Sequence, residues 1–404
     1  MTRARRLAAA AVCSIVPAFA AAQSRPPVAQ FWADVATNNV SIPGMSEMGD
    51  MGMLGGFFGG TKMAGGAPGK WLDTALHTRN KPAGTLGTHA IPPNLNMGSS
   101  LPLVPVQASP GGERGPREDV DLERPKGKLL FYWGCGEAVR PGQPRVVDFA
   151  KAGPEEFSKF MVGRFAPDRG AKAVPGRSVW PNEQERKRVP NDGSLIGDHA
   201  VAGEGVPAGL RFAVGAAHDF MPKVDMSATG DAKGAVPVQW QPVANACAYF
   251  VTAMGARGED EMIMWSSSEQ PDPGWGLMDY LPPAQIESLL REKVILQPTT
   301  QNCVIPAGIF AGAQGAMVRM IAYGSELNLA HPPRPADPKA PWNPEWAVRV
   351  RVKSTGMTML GMEEGGRSGT RRAARGEQPA QEKEESSPGI LPTPGNILRG
   401  IFGR

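Results

Sequence analysis

The run Val348-Arg349-Val350-Arg351-Val352-Lys353 alternates strictly between a β-branched apolar side chain and a cation. A period of two is the period of a strand, so three valines fall on one face and three cations on the other, the pattern of a half-buried strand. Glycine and proline punctuate the rest of the chain. They make up 90 of 404 residues, where average usage is roughly 12%. Both weaken helix interiors. The sequence therefore predicts a mainly β protein of short strands and many turns, with short helices, a long irregular N-terminal region and a disordered C-terminal tail.

Strand-like runs occupy 129–133, 145–149, 210–214, 235–240, 248–254, 261–266, 294–297 and 317–323. Two short helices are expected. One covers 154–161, with Pro154 in the first turn, Glu155 and Glu156 complementing the dipole, and Phe157, Phe160 and Met161 on one face. The other runs from Pro283 to about Lys293, with Ile286, Leu289 and Leu290 together. The implied organisation is a signal peptide at 1–22, a Gly/Met/Pro-rich irregular region at 23–120, a β-rich domain at 121–224, a second β domain at 225–361 and a disordered tail at 362–404. Within 23–120 the ordered patches are 31–35 and 71–76. The tail is rich in charge and poor in large apolar groups until Ile390, Leu391, Ile397, Leu398, Ile401 and Phe402. That apolar tip either docks on a partner or on the protein's own body, or frays.

One stretch carries a family likeness. Val236-Pro237-Val238-Gln239-Trp240-Gln241-Pro242-Val243, followed by Ala246 and Tyr249-Phe250-Val251, resembles the B and C strands of fibronectin type III-like and related immunoglobulin-like domains. In those domains a core tryptophan ends one strand, and an aromatic begins the next strand across the sandwich. The run Met317 to Tyr323 looks like the F strand. The resemblance covers roughly 225–325. It departs from the pattern where the 283–293 helix interrupts the later strands, and where no tyrosine opens the F-like run. It implies one or two β-sandwich domains with a scaffold or binding role, and brings no catalytic residues.

The first 22 residues read as a secretory signal. Arg3, Arg5 and Arg6 precede an apolar stretch, 7–20, too short to span a bilayer, and Ala20-Ala21-Ala22 supplies small residues for cleavage before Gln23. Ala18-Phe19-Ala20 is a competing cleavage site, and an uncleaved anchor the alternative. No later stretch reaches about 18 apolar residues. The expected location is the bacterial periplasm or the exterior, where disulfides are permitted. Beyond Cys13 remain Cys135, Cys247 and Cys303. They allow at most one internal bond, for which Cys247–Cys303, within one expected domain, is the favoured pair. Three free thiols are the other possibility. None has a CxxC partner, so redox and zinc chemistry lack a motif.

The net charge of +4 is carried mostly by the signal segment. The span 23–361 holds 33 basic and 33 acidic residues, since three basic residues lie before it and seven basic and six acidic residues after it. Such a chain has no field with which to gather phosphates, which argues against a nucleic-acid partner.

Motifs for catalysis are sparse. There is no G-x-S-x-G elbow and no H-E-x-x-H. Gly65 to Trp71 fails the P-loop pattern, with Ala64 at the first glycine position and Trp71 where Ser or Thr would hold magnesium. Two histidines adjoin aspartates, as Asp198-His199 and His218-Asp219, and Glu137 follows a Gly-Cys-Gly turn. Each is more simply explained as structure or surface than as chemistry. The cluster Met45, Met48, Met51 and Met53, with Met63 nearby, stands out. Thioethers are soft ligands that select Cu(I) or Ag(I), although methionines in a glycine-rich segment also serve as adaptable hydrophobes. The expectation is a secreted cell-envelope protein, non-enzymatic, with a structural or interaction role. A periplasmic Cu(I)/Ag(I)-binding protein is the alternative, and an unrecognised hydrolase a further one.

Overall fold

The computed structural model describes residues 25–40, 68–107, 127–153, 163–167, 169–258, 260–313, 315–337 and 339–360. The N-terminal part supplies β1 (Ala29–Val40), β2 (Gly69–Thr78), β3 (Gly87–Ala90) and β4 (Ser100–Pro105). Next come β5 (Lys128–Trp133), β6 (Arg145–Asp148), β7 (Ser178–Trp180), β8 (Gly197–Gly203) and β9 (Arg211–Val214). The remainder are β10 (Met226–Ala228), β11 (Val236–Trp240), β12 (Ala248–Arg257), β13 (Glu261–Ser266), β14 (Asn302–Ile305), β15 (Ala316–His331) and β16 (Trp346–Leu360). A single α-helix, α1 (Pro283–Arg291), lies among the described residues. The protein is mainly β, as its glycine and proline content dictates.

Thirteen strands join in the order β6-β5-β13-β12-β15-β16-β1-β2-β7-β4-β3-β8-β9, and β10-β11-β14 form a smaller sheet. This corrects the expected division of the chain. Region 23–120, read as irregular, contributes β1 and β2 to the centre of the large sheet. Its readable patches, 31–35 and 71–76, are parts of the longer strands β1 and β2. Nor do 121–224 and 225–361 form separate units, because β5 runs parallel to β13 from Lys128↔Glu261 to Trp133↔Ser266. The expected strand at 294–297 is only a bridge between Leu296 and Tyr249. The signal segment, the methionine cluster, the 154–161 helix and the tail from 362 lie outside the described residues.

The apolar faces of β1 and β16 set the main core. Phe31, Ala33 and Val35 lie on one face of β1, alternating with Trp32 and Asp34, as Val348, Val350 and Val352 alternate with cations on β16, and all six are buried in one cluster. The small sheet closes over this cluster. Trp240 on β11 meets Tyr249 on β12 edge-on, with ring centres 5.6 Å apart, and the Val243 amide donates to the Tyr249 hydroxyl at 3.1 Å. Both aromatics are buried, facing each other from the two sheets. On the opposite face of β12 and β15, Ile286 and Leu289 of α1 pack with Phe250 and Tyr323.

Cys135 is bonded to Cys303, and Cys247 is free. The expected Cys247–Cys303 pair is therefore not the one formed. The reason is the shared sheet. β5 lies beside β13, and its following turn meets β14, where the Gly136 amide donates to the Val304 carbonyl at 2.9 Å. Cys247 instead precedes β12, and its amide donates to the Tyr323 carbonyl at 2.7 Å.

Candidate functional site

The alternation on β16 does not make a strand with a solvated face. Arg351 and Lys353 are 4% and 1% exposed. β16 is a central strand with both faces covered, and its cations meet acids brought by distant segments. Parallel pairing sets Asp34 of β1 beside Arg351, and antiparallel pairing sets Asp73 of β2 beside Asp34. Arg351 grips Asp34 with two bonds, Nε to Oδ1 at 2.7 Å and Nη2 to Oδ2 at 2.6 Å. The Ala171 amide adds a third bond to Oδ2 at 2.9 Å. Lys353 Nζ reaches Asp279 Oδ1 at 3.0 Å. The Tyr280 ring covers both cations, 4.4 Å from the Arg351 guanidinium and 4.4 Å from the Lys353 ammonium. Further along the same face Tyr323 donates to the Leu277 carbonyl at 2.5 Å, and Arg319 donates to Met278 Sδ at 2.8 Å.

The layer is closed over the Arg351–Asp34 pair, whereas the Asp279 carboxylate at its edge is exposed. Gly170 lies so close over the pair that an added Cβ would collide with the Arg351 guanidinium and the Asp34 carboxylate. Burial works against the Arg351 charge, but the bonds and field of Asp34 outweigh it and hold the guanidinium above its ordinary pKa. For Lys353 burial wins over the attraction of Asp279, and its pKa is lowered. Burial brings Arg319 down to about 10. Burial, with Asp34 and Asp279 adding to it, raises the Tyr280 phenol. Chemically the layer is a neutralised ionic core: both Asp34 oxygens are occupied, and a base there would first have to break the Arg351 clamp.

A second buried polar group joins β3 to β8. His89 Nε2 and His199 Nδ1 lie 3.0 Å apart, and His199 Nε2 lies 2.8 Å from the Leu195 carbonyl. Since the carbonyl requires a donor, Nε2 of His199 carries its proton, Nδ1 accepts, and His89 is the Nε2–H tautomer. The His89 ring is stacked on His199 and lies edge-on to Phe31, 4.8 Å away. Burial, then the neighbouring His199, lowers the pKa of His89 well below 6.5. Burial also lowers His199, against the bond to Leu195 and the field of Asp198.

The polar face of the central strands opens to solvent at one end. There a shallow groove of about 770 Å³ crosses β15, β16 and β1. Gln30, Asn328 and Arg349 present planar polar groups to it, Arg25 and Arg334 flank it, and Trp342 forms part of its wall with several prolines. Arg334 lies over the Trp342 ring at 5.6 Å, and the indole N–H is held by the Pro332 carbonyl at 3.0 Å. Arg349 is braced by Asn328 at 3.0 Å and by Glu326 at 3.3 Å. Among the described residues lining the groove there is no carboxylate.

The residues singled out from the sequence do not gather into one cleft. His199 pairs with His89, which carried no motif. Asp219 accepts from the Ser194 hydroxyl and the Leu195 amide, both at 2.7 Å, and so braces the turn that His199 also holds. Glu137 is exposed on the turn after β5, where its carbonyl accepts from the Ala307 amide. Among the described residues no group of three or more His, Cys, Asp or Glu side chains is placed to hold a metal ion. Nor is any helix there long and apolar enough to cross a membrane. No protein-family model matches the chain, and neither the curated proteins nor the solved structures provide a match.

Proposed function

We propose that this is a secreted bacterial cell-envelope protein that acts by binding rather than by catalysis, with the groove over β15, β16 and β1 as its contact face. The carrying observation is the contrast along one sheet face. Arg351, Lys353 and Asp34 are buried and paired in the middle, and at the end Arg25, Arg334 and Asn328 are exposed with Gln30, Arg349 and Trp342 half-buried beside them. The Cys135–Cys303 bond supports an oxidising compartment, since such bonds persist outside the cytosol. The test is co-sedimentation of purified mature protein with isolated cell envelopes. Wild type should pellet, and Arg25→Glu with Arg334→Glu should remain in solution. A control such as Lys187→Glu, away from the groove, should pellet like wild type. Equal pelleting of groove and control variants, or no pelleting at all, refutes the reading.

A second reading keeps the methionines. β1 ends at Val40 and β2 begins at Gly69, and the two strands pair through Asn38↔Gly69. The segment carrying Met45, Met48, Met51 and Met53 thus leaves and re-enters the sheet at neighbouring points. Anaerobic Cu(I) titration of wild type against the variant with all four changed to Leu tests it. Equal uptake by both, or none by wild type, ends the metal reading.

A further inference from the structure

The geometry points to an acidic polysaccharide, a chain of uronate-type sugars, as the ligand of the groove. This rests on the binding role proposed above and names the ligand class. Three observations carry it. First, the groove crosses a sheet face. Backbone N–H and C=O groups of paired strands point sideways within the sheet, so they do not rise into the groove, and a ligand there is recognised by side chains. An extended peptide, whose main chain seeks strand-like partners, gains little from such a floor. Second, the polar side chains at the floor include flat, multidentate groups, the amide of Gln30 and the guanidinium of Arg349, the latter held by an Asn328 amide whose own two polar atoms are engaged by Arg349 and Glu326. Amides pair with vicinal hydroxyls and a guanidinium with a carboxylate. The orientation of Arg349 is set in advance, because it is tied to Asn328, to Glu326 and to the Arg169 carbonyl at 3.2 Å. Third, Arg334 lies over one face of the Trp342 ring, so the pair offers a stacked, flat cationic surface on which a sugar ring and its carboxylate can both rest. Arg25 and Arg334 add two exposed positive charges to Arg349, whose own charge is partly matched by Glu326 beneath it, and no carboxylate lines the groove, which is complementary to a regularly charged polyanion and not to a neutral glycan.

The experiment is calorimetric titration of the mature protein with an oligogalacturonate, its methyl ester and poly-L-glutamate. The acid oligomer should bind, and the ester, with the same rings but no charge, should bind at least tenfold more weakly. Poly-glutamate, with the charge but no rings, should be weaker by a similar factor. Trp342→Ala should reduce affinity about tenfold, as should the exposed pair Arg25→Gln with Arg334→Gln, which is the independent check if the first variant is misfolded. Melting temperature monitors the fold. Poly-glutamate binding as tightly as the oligogalacturonate overturns the saccharide assignment in favour of an acidic polypeptide. Unchanged affinity in a folded Trp342→Ala or double-arginine variant overturns the site. If envelope co-sedimentation depends on the groove but no oligogalacturonate binds, the ligand class is wrong while the binding role stands.

Discussion

Two buried polar groups sit on either side of β1, and they solve the same problem in opposite ways. The His89–His199 pair, against Phe31 on one face, remains neutral and has all but one of its ring nitrogens hydrogen-bonded. The Asp34–Arg351 pair on the other face is an ion pair with its charges matched, clamped and covered. A buried ion pair is weak evidence of net stabilisation, but removing one partner leaves an uncompensated charge. A neutral pair carries no such liability until a proton arrives. The first group should therefore be sensitive to pH and the second to mutation.

The largest effect should come from Arg351→Met, which leaves the buried Asp34 carboxylate without its clamp. About 3–5 kcal/mol of stability should be lost, read as a lower urea midpoint with unchanged slope. Asp34→Asn combined with Arg351→Met should recover a large part of it. If the double variant is as unstable as the single, the loss comes from packing and not from charge. Gly170→Ala should come next, at about 3 kcal/mol, because its methyl group overlaps the clamp and the covering segment must lift. A variant as stable as wild type would show that this cover yields easily.

The histidine pair should respond to acid. Both groups have folded pKa values below the ordinary 6.5. Below that pH the unfolded chain takes up protons that the folded chain refuses. The stability they confer is thus complete above about pH 6.5 and declines as pH falls toward the folded values, by at most about 2 kcal/mol per histidine at pH 5. Urea midpoints at pH 7.5 and 5.5 should show the decline, and His89→Leu with His199→Leu should flatten it. A slope that survives in the double variant would assign the acid sensitivity elsewhere.

The smallest contrast separates two tyrosines of the ionic layer. Tyr323→Phe should cost about 1 kcal/mol, because its hydroxyl bonds the Leu277 carbonyl. Tyr280→Phe should change stability by less than about 0.5 kcal/mol, since among the described residues its buried hydroxyl has no hydrogen-bond partner and its work is done by the ring face. Equal losses would mean that Tyr280 acts through its hydroxyl.

Much of the strand content was legible because it is local. The alternation from Val348 to Lys353 fixed a strand and its two faces, and the Trp240 and Tyr249 spacing anticipated an aromatic contact across two sheets. What covers a face is not local. Arg351 finds Asp34 at a separation of 317 residues, and no periodicity in either strand announces the other. Asp34 sat inside the ordered patch at 31–35, but one acid among apolar residues gives no hint of a buried clamp. The disulfide was misassigned for the same reason, since cysteines were grouped by an expected domain boundary that the parallel pairing of β5 with β13 erases. His89 was missed because it stands alone in sequence and gains its partner only through β3–β8 pairing. The groove draws on the ends of β1, β15 and β16 together, and only the register shows that Gln30, Asn328 and Arg349 share a surface.

The parallel pairing of β1 with β16 also governs when the molecule can be completed. β1 must wait for β16, made 317 residues later, so among the described strands the middle of the large sheet closes late. Until then β1 and β2 expose an apolar face and an unmatched carboxylate, and their neighbours on the far side do not yet exist. Such non-local closure makes folding slow and prolongs exposure to aggregation. A chain threaded through a membrane from its N-terminus would have its first strands on the far side before their partner had crossed, and would depend on holding factors there for that interval.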